Sequence, residues 1–236
     1  MVEIKKHKMQ GIFDSLAPNY DLANTIMSLG MHHYWRRFAV RRTGLNPGGV
    51  ALDLCCGTGM ITAELADRVG PKGSVTGMDL SGEMLAVARQ RLMKRGYLER
   101  VHLLQGDVAK LPFAEGQFEC VTIGYGLRNV HDPKRVLQEI YRVLKPGGVL
   151  VAIESAQPAL PVFRTAYFTY LKHWVPLLGR IICRNQPAYR YLHDSIIDFP
   201  PPWKLASVMR RMGFDAVTYF PLTCGIVAVF TGRKVK

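Results

Sequence analysis

The stretch Asp53-Leu54-Cys55-Cys56-Gly57-Thr58-Gly59 stands between an apolar run, Val50 to Leu54, and a segment of helical length, Thr58 to Val69. A buried strand that gives way to small residues and then to a helix is how an open α/β sheet brings backbone N–H groups close to a nucleotide-like ligand. The Gly-x-Gly turn alone is common to many nucleotide folds. Here Thr62 stands where the dinucleotide fingerprint places its third glycine, the residue that lets a helix start approach a diphosphate. The loop therefore points away from nicotinamide and flavin dinucleotides.

The same alternation continues outward from the loop. Ser74 to Met78, Val101 to Leu104, Cys120 to Ile123 and Val149 to Ile153 are apolar runs suited to strands buried on both faces, and Gly82 to Arg95 and Pro133 to Leu144 are helical in length. Asn46-Pro47-Gly48-Gly49, Pro71-Lys72-Gly73 and Lys145-Pro146-Gly147-Gly148 break the chain where strands should begin. This is the pattern of a parallel sheet with crossover helices. From Pro158 to Trp203 the alternation stops, and Phe163, Tyr167, Tyr170 or Leu171, and Trp174 recur at helical spacing. Phe214 to Phe220 and Thr223 to Thr231 predict a closing hairpin, Ile12 to Arg42 reads as helices, and Met1 to Lys8 reads as disordered. One domain over residues 1–236 is expected: a helical lid (9–44), a ligand-binding core (48–154), a helical insertion (155–203), and a final helix with a strand hairpin (204–236).

Composition narrows the classes. With 236 residues, 48% hydrophobic and 21% charged, the chain has enough apolar surface for a sizeable core. No stretch reaches the roughly 18 apolar residues of a membrane span, and the basic start lacks a signal core, so a cytoplasmic protein is expected. Five cysteines, odd in number with only an adjacent pair, suit neither a disulfide framework nor a zinc site, and read as buried thiols. The net charge of +13 suits solubility as well as attraction to phosphate, anionic lipid or acidic partners.

Acidic residues follow successive strands. Asp79 closes the second run, twenty positions after Gly59 (79 − 59), where a carboxylate can accept from both ribose hydroxyls; it also suits the cap of the helix starting near Gly82. Asp107, in Gln105-Gly106-Asp107-Val108, is placed for an adenine amino group, or is an exposed turn residue. Taken in register with the Gly-x-Gly loop, these acids resemble the class I S-adenosylmethionine-dependent methyltransferases, from about Val50 to Ile153. The resemblance implies a Rossmann-like, mostly parallel seven-stranded sheet with an antiparallel last strand. It also implies S-adenosylmethionine as cofactor, S-adenosylhomocysteine as product, no metal, and a cofactor set of Asp53, Gly57, Thr58, Gly59, Asp79, Leu80, Asp107, Val108 and Gly124.

Gly124-Tyr125-Gly126-Leu127-Arg128-Asn129-Val130 follows the fourth run, and no Asn-Pro-Pro-Tyr-like or Pro-Cys motif of base methylation occurs there. No nucleic-acid substrate is expected, an RNA methyltransferase being the alternative kept for the basic charge. With Tyr141-Arg142-Val143-Leu144-Lys145-Pro146-Gly147-Gly148, that run resembles the menaquinone and ubiquinone biosynthesis C-methyltransferase family. Phe13-Asp14-Ser15-Leu16-Ala17-Pro18-Asn19-Tyr20-Asp21, Asn24, Ser28-Leu29-Gly30, Trp35-Arg36, Tyr189-Arg190-Tyr191-Leu192 and Leu222-Thr223 extend the likeness over nearly the whole chain. It implies methyl transfer to a ring carbon of a prenylated quinol, demethylmenaquinol to menaquinol. A demethylated benzoquinol, another small-molecule acceptor, and a noncatalytic cofactor-binding assembly protein are the alternatives. Gly124, where ubiquinone-type bacterial members often carry serine, leans toward menaquinone. Met60 departs from the family's aspartate, and Ser155-Ala156-Gln157 from its Phe-Ser-Lys.

The resemblance favours Arg128 and Asn129 as the pair that holds the acceptor hydroxyl or a water, since a guanidinium steadies developing negative charge. A strand-end salt bridge for Arg128 and a helix cap for Asn129 are the structural alternatives. Tyr20, with Asp21, is expected to close over the methionine part of the donor as a third catalytic residue. His33 is either a proton acceptor or a packing residue. The stretch Phe163 to Trp174 offers a wall for an isoprenoid tail, and the positive charge suits peripheral contact with an anionic membrane. A homodimer is compatible with the sequence.

Overall fold

The computed structural model describes residues 2–183 and 185–235. Seven strands form one sheet: β1 (Val50–Leu54), β2 (Ser74–Asp79), β3 (Val101–Gln105), β4 (Phe118–Gly124), β5 (Leu144–Ser155), β6 (Phe214–Leu222) and β7 (Val227–Lys234). Their order is β3-β2-β1-β4-β5-β7-β6. All pairs from β3 to β5 are parallel, and β7 runs antiparallel between β5 and β6. The order reverses between β1 and β4, which opens a crevice at their carboxyl ends, where ligands of such sheets bind.

Side-chain alternation gives each face its own core. Leu52 and Leu54 point to one, with Ile123, Leu150, Ile140 of α6 (Pro133–Val143) and Met209 of α10 (Pro202–Arg211). Ala51 and Val75 point to the other, with Leu65 of α4 (Met60–Val69), Leu92 of α5 (Gly82–Lys94) and Trp35 of α3 (Met31–Arg41). A third cluster lies off the sheet. It joins Leu16 of α1 (Val2–Leu16) and Ala23 of α2 (Tyr20–Met27) to Leu171, Val175 of α8 (Val175–Cys183), and Tyr189 and Ile196 of α9 (Gln186–Asp198). Lid and insertion thus share a core of their own above the crevice.

Several expectations are corrected. Val2–Lys8 belongs to α1 rather than to a disordered start, and Met1 lies outside the described residues. The β3 run is at the sheet edge, with His102, Leu104 and Gln105 exposed, not buried on both faces. Lys145-Pro146-Gly147-Gly148 bulges within β5, since Phe118 pairs with Leu144 and Cys120 with Val149. Thr223–Gly225 is a 3-10 turn, with left-handed Thr223 and Cys224, and β7 begins only at Val227. Cys224 is exposed rather than buried, and all five thiols are free. A helix α7 (Pro161–Thr169) and a π-helical turn (Tyr170–Trp174) continue into α8.

Candidate functional site

Three left-handed residues follow β1 in quick succession, Cys55 (φ 52°), Gly57 (φ 54°) and Gly59 (φ 75°). Such backbone is costly for a side chain such as that of Cys55, and clusters where a ligand is to be approached. A Cβ at Gly57 would meet nothing within 4 Å, whereas one at Gly59 would stand 3.0 Å from Cβ of Ala88 on α5. Gly57 therefore keeps ligand space open, and Gly59 lets a helix pack.

The acids divide by role. Asp53 is fully buried, and its two oxygens accept from the hydroxyls of Thr62 (2.6 Å) and Thr122 (2.7 Å). Burial pushes its carboxyl up to about 6 against those two hydrogen bonds. Direct cofactor contact by Asp53 is thus corrected: it ties β1 to α4 and β4 beneath the loop. Asp79 accepts from N–H of Gly57 (2.8 Å) and of Ser81 (2.9 Å), so it braces the glycine loop from β2. Burial raises its carboxyl above the usual range. The cap of α5 is Ser81, whose Oγ accepts from N–H of Met84, so the cap reading of Asp79 is corrected. Asp107 accepts from N–H of Ala109 in the turn after β3, beside buried Val108. N–H of Gly106 donates to the Asp79 carbonyl, which holds that turn beside Asp79 and Leu80.

A cavity of about 630 Å³ opens over the carboxyl ends of β1 and β4, in the size range of small-molecule sites. Cys55, Gly57, Thr58, Met60, Gly124 and Tyr125 form its floor, and α1–α3, the π-helical turn, α8 and α9 close it. Asp53, Gly59, Asp79, Leu80, Asp107 and Val108 lie outside its lining.

Tyr125, after β4, is a second strained left-handed residue (φ 55°). Its carbonyl accepts from Nη1 of Arg128 (2.9 Å) and Nδ2 of Asn129 (2.8 Å), so one strained turn aims both side chains. Arg128 also donates to Glu154 of β5 at 2.6 Å, with side chains 7% and 1% exposed. The salt-bridge alternative for Arg128 is thus present, yet the residue also lines the cavity and its buried Nε has no partner. Burial pushes the Glu154 carboxyl up, opposed by Arg128. Oδ1 of Asn129 accepts from the hydroxyl of Tyr191 (3.0 Å), which brings α9 to the site. Asn129 caps no helix; the cap of α6 is Asp132.

Tyr20 lines the cavity, and burial raises its hydroxyl above its ordinary value. Asp21 lies outside the cavity lining. It accepts from Thr58 Oγ1 (2.7 Å) and pairs with Arg91, while Asp14 accepts from the Ser81 hydroxyl, so both lid acids latch onto the loop and α5. His33 is exposed and outside the lining, which corrects its reading as a proton acceptor. Its neighbour His32 is buried against the cavity instead. Tyr167, Tyr170 and Leu171 form the expected apolar wall, but Phe163 and Trp174 face outward. Sequence reasoning assigned no role to Tyr125, Glu154, His32 or Arg36; only the tight turn around Tyr125 hinted at one. Among the described residues, no group of three or more His, Cys, Asp or Glu is placed to hold a metal ion.

The open space at Gly57, the braced carboxylate behind it and the enclosed crevice fit a nucleoside with an amino-acid end. Comparison with known proteins bears on what it serves. The profile of the ubiE/COQ5 methyltransferase family matches residues 1–234. A protein of Desulfitobacterium hafniense named demethylmenaquinone methyltransferase is 42% identical over 97% of this chain and 90% of its own length. A Pseudomonas fluorescens protein named ubiquinone/menaquinone biosynthesis C-methyltransferase UbiE is 41% identical over 98% of this chain and 90% of its own. A crystal structure of a SAM-dependent methyltransferase from Thermotoga maritima, possible histamine N-methyltransferase, superposes with a TM-score of 0.66. That match has 20% identity over 96% of this chain and 99% of the other, and speaks for the fold alone.

Proposed function

This chain belongs to the ubiE/COQ5 methyltransferase family, and from that premise we propose that it methylates a ring carbon of a prenylated quinol, with demethylmenaquinol as acceptor. It is an S-adenosylmethionine-dependent methyltransferase of quinone biosynthesis. The observation that carries the acceptor is the make-up of one cavity: a polar end at Arg128, Asn129 and Tyr191 faces walls of Leu16, Tyr167, Leu171 and Val175. An aromatic diol with a hydrocarbon tail has that same division.

Gly57 with its neighbours, Gly124 and the braced Asp79 would hold the donor, and Leu80, Asp107 and Val108 its nucleoside end. When bound, S-adenosylmethionine supplies an electrophilic methyl on a sulfonium. The ring carbon becomes nucleophilic only as its ortho hydroxyl gives up a proton. Arg128, fixed by Glu154 and the Tyr125 carbonyl, turns its unpartnered Nε–H toward the oxyanion. Asn129, held between Tyr125 and Tyr191, orients the hydroxyl or a water that takes the proton. Tyr20 closes the site from the lid and excludes water. Holding carbon and methyl in line is worth roughly 7–11 kcal/mol of barrier.

The outer faces of the same helices support a membrane approach for the tail. Leu171, Val175 and Leu178 face the cavity, yet Trp174 (59% exposed), Leu177 and Ile181 (67%) face solvent among exposed Lys172 and Arg180. Apolar side chains on both faces of one helical stretch want cover on both sides, and among the described residues no helix is long and apolar enough to cross a bilayer. We read the whole chain as one catalytic domain that visits an anionic membrane surface.

Purified protein with labelled donor should methylate reduced demethylmenaquinone in preference to a demethylated benzoquinol. Arg128→Ala should lower turnover by roughly 100-fold or more, while S-adenosylhomocysteine affinity changes little. Preference for the benzoquinol would overturn the acceptor, and unchanged turnover would remove Arg128 from the chemistry.

A further inference from the structure

Three buried polar side-chain atoms lack a hydrogen-bond partner among the described residues: Nε of Arg36, the hydroxyl of Tyr125, and Nε of Arg128. All three residues line the cavity over β1 and β4. Buried donors without partners are costly, and a cluster of them marks where a ligand supplies the acceptors. Nε of Arg128 has a place in the reading above; Arg36 and the Tyr125 hydroxyl do not.

Arg36 is 6% exposed and rises from α3 toward the cavity. One Nη donates to Nδ1 of His32, and Nε2 of His32 meets Oγ1 of Thr25 at 3.0 Å. The Thr25 hydroxyl donates to the Asp21 carbonyl, which leaves its oxygen to accept, so the His32 proton sits on Nε2 and Nδ1 is free to accept from Arg36. The guanidinium is thus fixed along one edge and open at Nε. Arg36 and Tyr125 share the cavity lining with Met60 and Ile61, the first two residues of α4. A Cβ on Gly124, next to Tyr125, would stand 2.6 Å from Cδ1 of Ile61, so the turn carrying Tyr125 lies against the beginning of α4.

The ten-residue α4 starts bare. Its N-cap is Gly59, with no side-chain cap, and its first turn holds no acid. Met60, in the family's aspartate position, is part of the cavity lining. Uncapped N–H groups and the helix dipole favour negative charge there, and the orphaned guanidinium demands it.

We propose that Arg36 Nε–H and the Tyr125 hydroxyl grip the α-carboxylate of the methyl donor against the open amino terminus of α4, with His32 positioning Arg36. This rests on the methyl-donor reading. The acceptor has no carboxylate, and its oxygens already have Arg128 and Asn129, whereas the donor's amino-acid end must lie over Gly57 and Met60 if its nucleoside lies toward Asp79.

Calorimetric titration with two product-like ligands separates the contact from the rest of the site. S-adenosylhomocysteine carries the carboxylate; 5′-methylthioadenosine carries the same nucleoside and sulfur without it. Arg36→Met should weaken S-adenosylhomocysteine about 30- to 100-fold and leave methylthioadenosine within about twofold, the loss expected for a charge-assisted bond. Arg36→Lys should recover part of that loss, and Tyr125→Phe should cost about 3- to 10-fold on S-adenosylhomocysteine alone. Parallel weakening of both ligands would mean a collapsed site and overturn the proposal. So would unchanged S-adenosylhomocysteine affinity, above all if Arg36→Met raised only the KM for quinol. Wild-type protein that bound neither ligand would overturn the donor reading as well.

Discussion

Glu154 and Arg128 are a buried ion pair, and removing one partner strands the other's charge. Glu154→Gln should therefore destabilise the fold by about 3–5 kcal/mol in urea melts, far more than a surface pair would; a change below about 1 kcal/mol would mean that water reaches Arg128. His32 titrates in the opposite sense to a stabilising cation. Burial, then Arg36 and His33, push its imidazole down to about 3, while in the unfolded chain it takes a proton near 6.5. The unfolded state thus binds more protons between those values, and the fold loses stability as pH falls through that window. Asparagine keeps an acceptor for Arg36 and has no charge to gain. Between pH 7 and 4.5, Tm of His32→Asn should fall less than that of the wild type; equal slopes would mean that the folded ring is protonated. Arg36 and Tyr125 were assigned no role from sequence, because they are 89 positions apart (125 − 36) and come to line one cavity only in the folded chain.

At the scale of elements, the core was readable and the cover was not. β1, β2, β4, α5 and α6 follow from apolar runs, helical lengths and turn residues, all local signals. The edge position of β3 and the bulge in β5 depend on neighbouring strands, which no local pattern encodes. The aromatic spacing from Phe163 to Trp174 predicted a helical stripe but not which face would turn inward; a π-helical turn at Tyr170–Trp174 shifts the register between the stripe's halves. The same insertion packs closely. A Cβ at Gly179 of α8 would stand 2.0 Å from the Tyr189 ring of α9. Gly179→Ala should cost about 1–3 kcal/mol by overpacking and loosen the wall, seen as faster amide exchange in α8 and α9 with β1 and β4 unchanged. Uniform exchange throughout would place the damage elsewhere.

For the molecule as a whole, a charge of +13 and the outward face of Trp174, Leu177 and Ile181 both bear on the proposed membrane approach. On the proposed membrane approach, the charge would draw the protein to anionic headgroups at about 1 kcal/mol per nearby basic side chain, and the apolar face would hold it there. Sedimentation with anionic vesicles should show binding that weakens with salt. Trp174→Glu should lower the bound fraction roughly tenfold, since a buried aromatic side chain is worth about 1.5–3 kcal/mol, and should leave turnover of a short-tailed quinol unchanged. Salt-independent binding, or none, would count against the membrane reading.

The latches that close the lid have a history as well as a geometry. Asp14 and Asp21 reach Ser81, Thr58 and Arg91, and Nε1 of Trp35 donates to Oγ1 of Thr223, 188 residues later in the chain, at 2.8 Å. During translation the helices of the lid emerge before any strand of the sheet, yet the partners of Leu16, Ala23 and Trp35 are complete only once Leu171, Val175, Tyr189, Ile196 and Thr223 have followed. The nascent chain must therefore carry Leu16, Ala23 and Trp35 uncovered through most of its synthesis. The lid would therefore be the last part of this fold to settle.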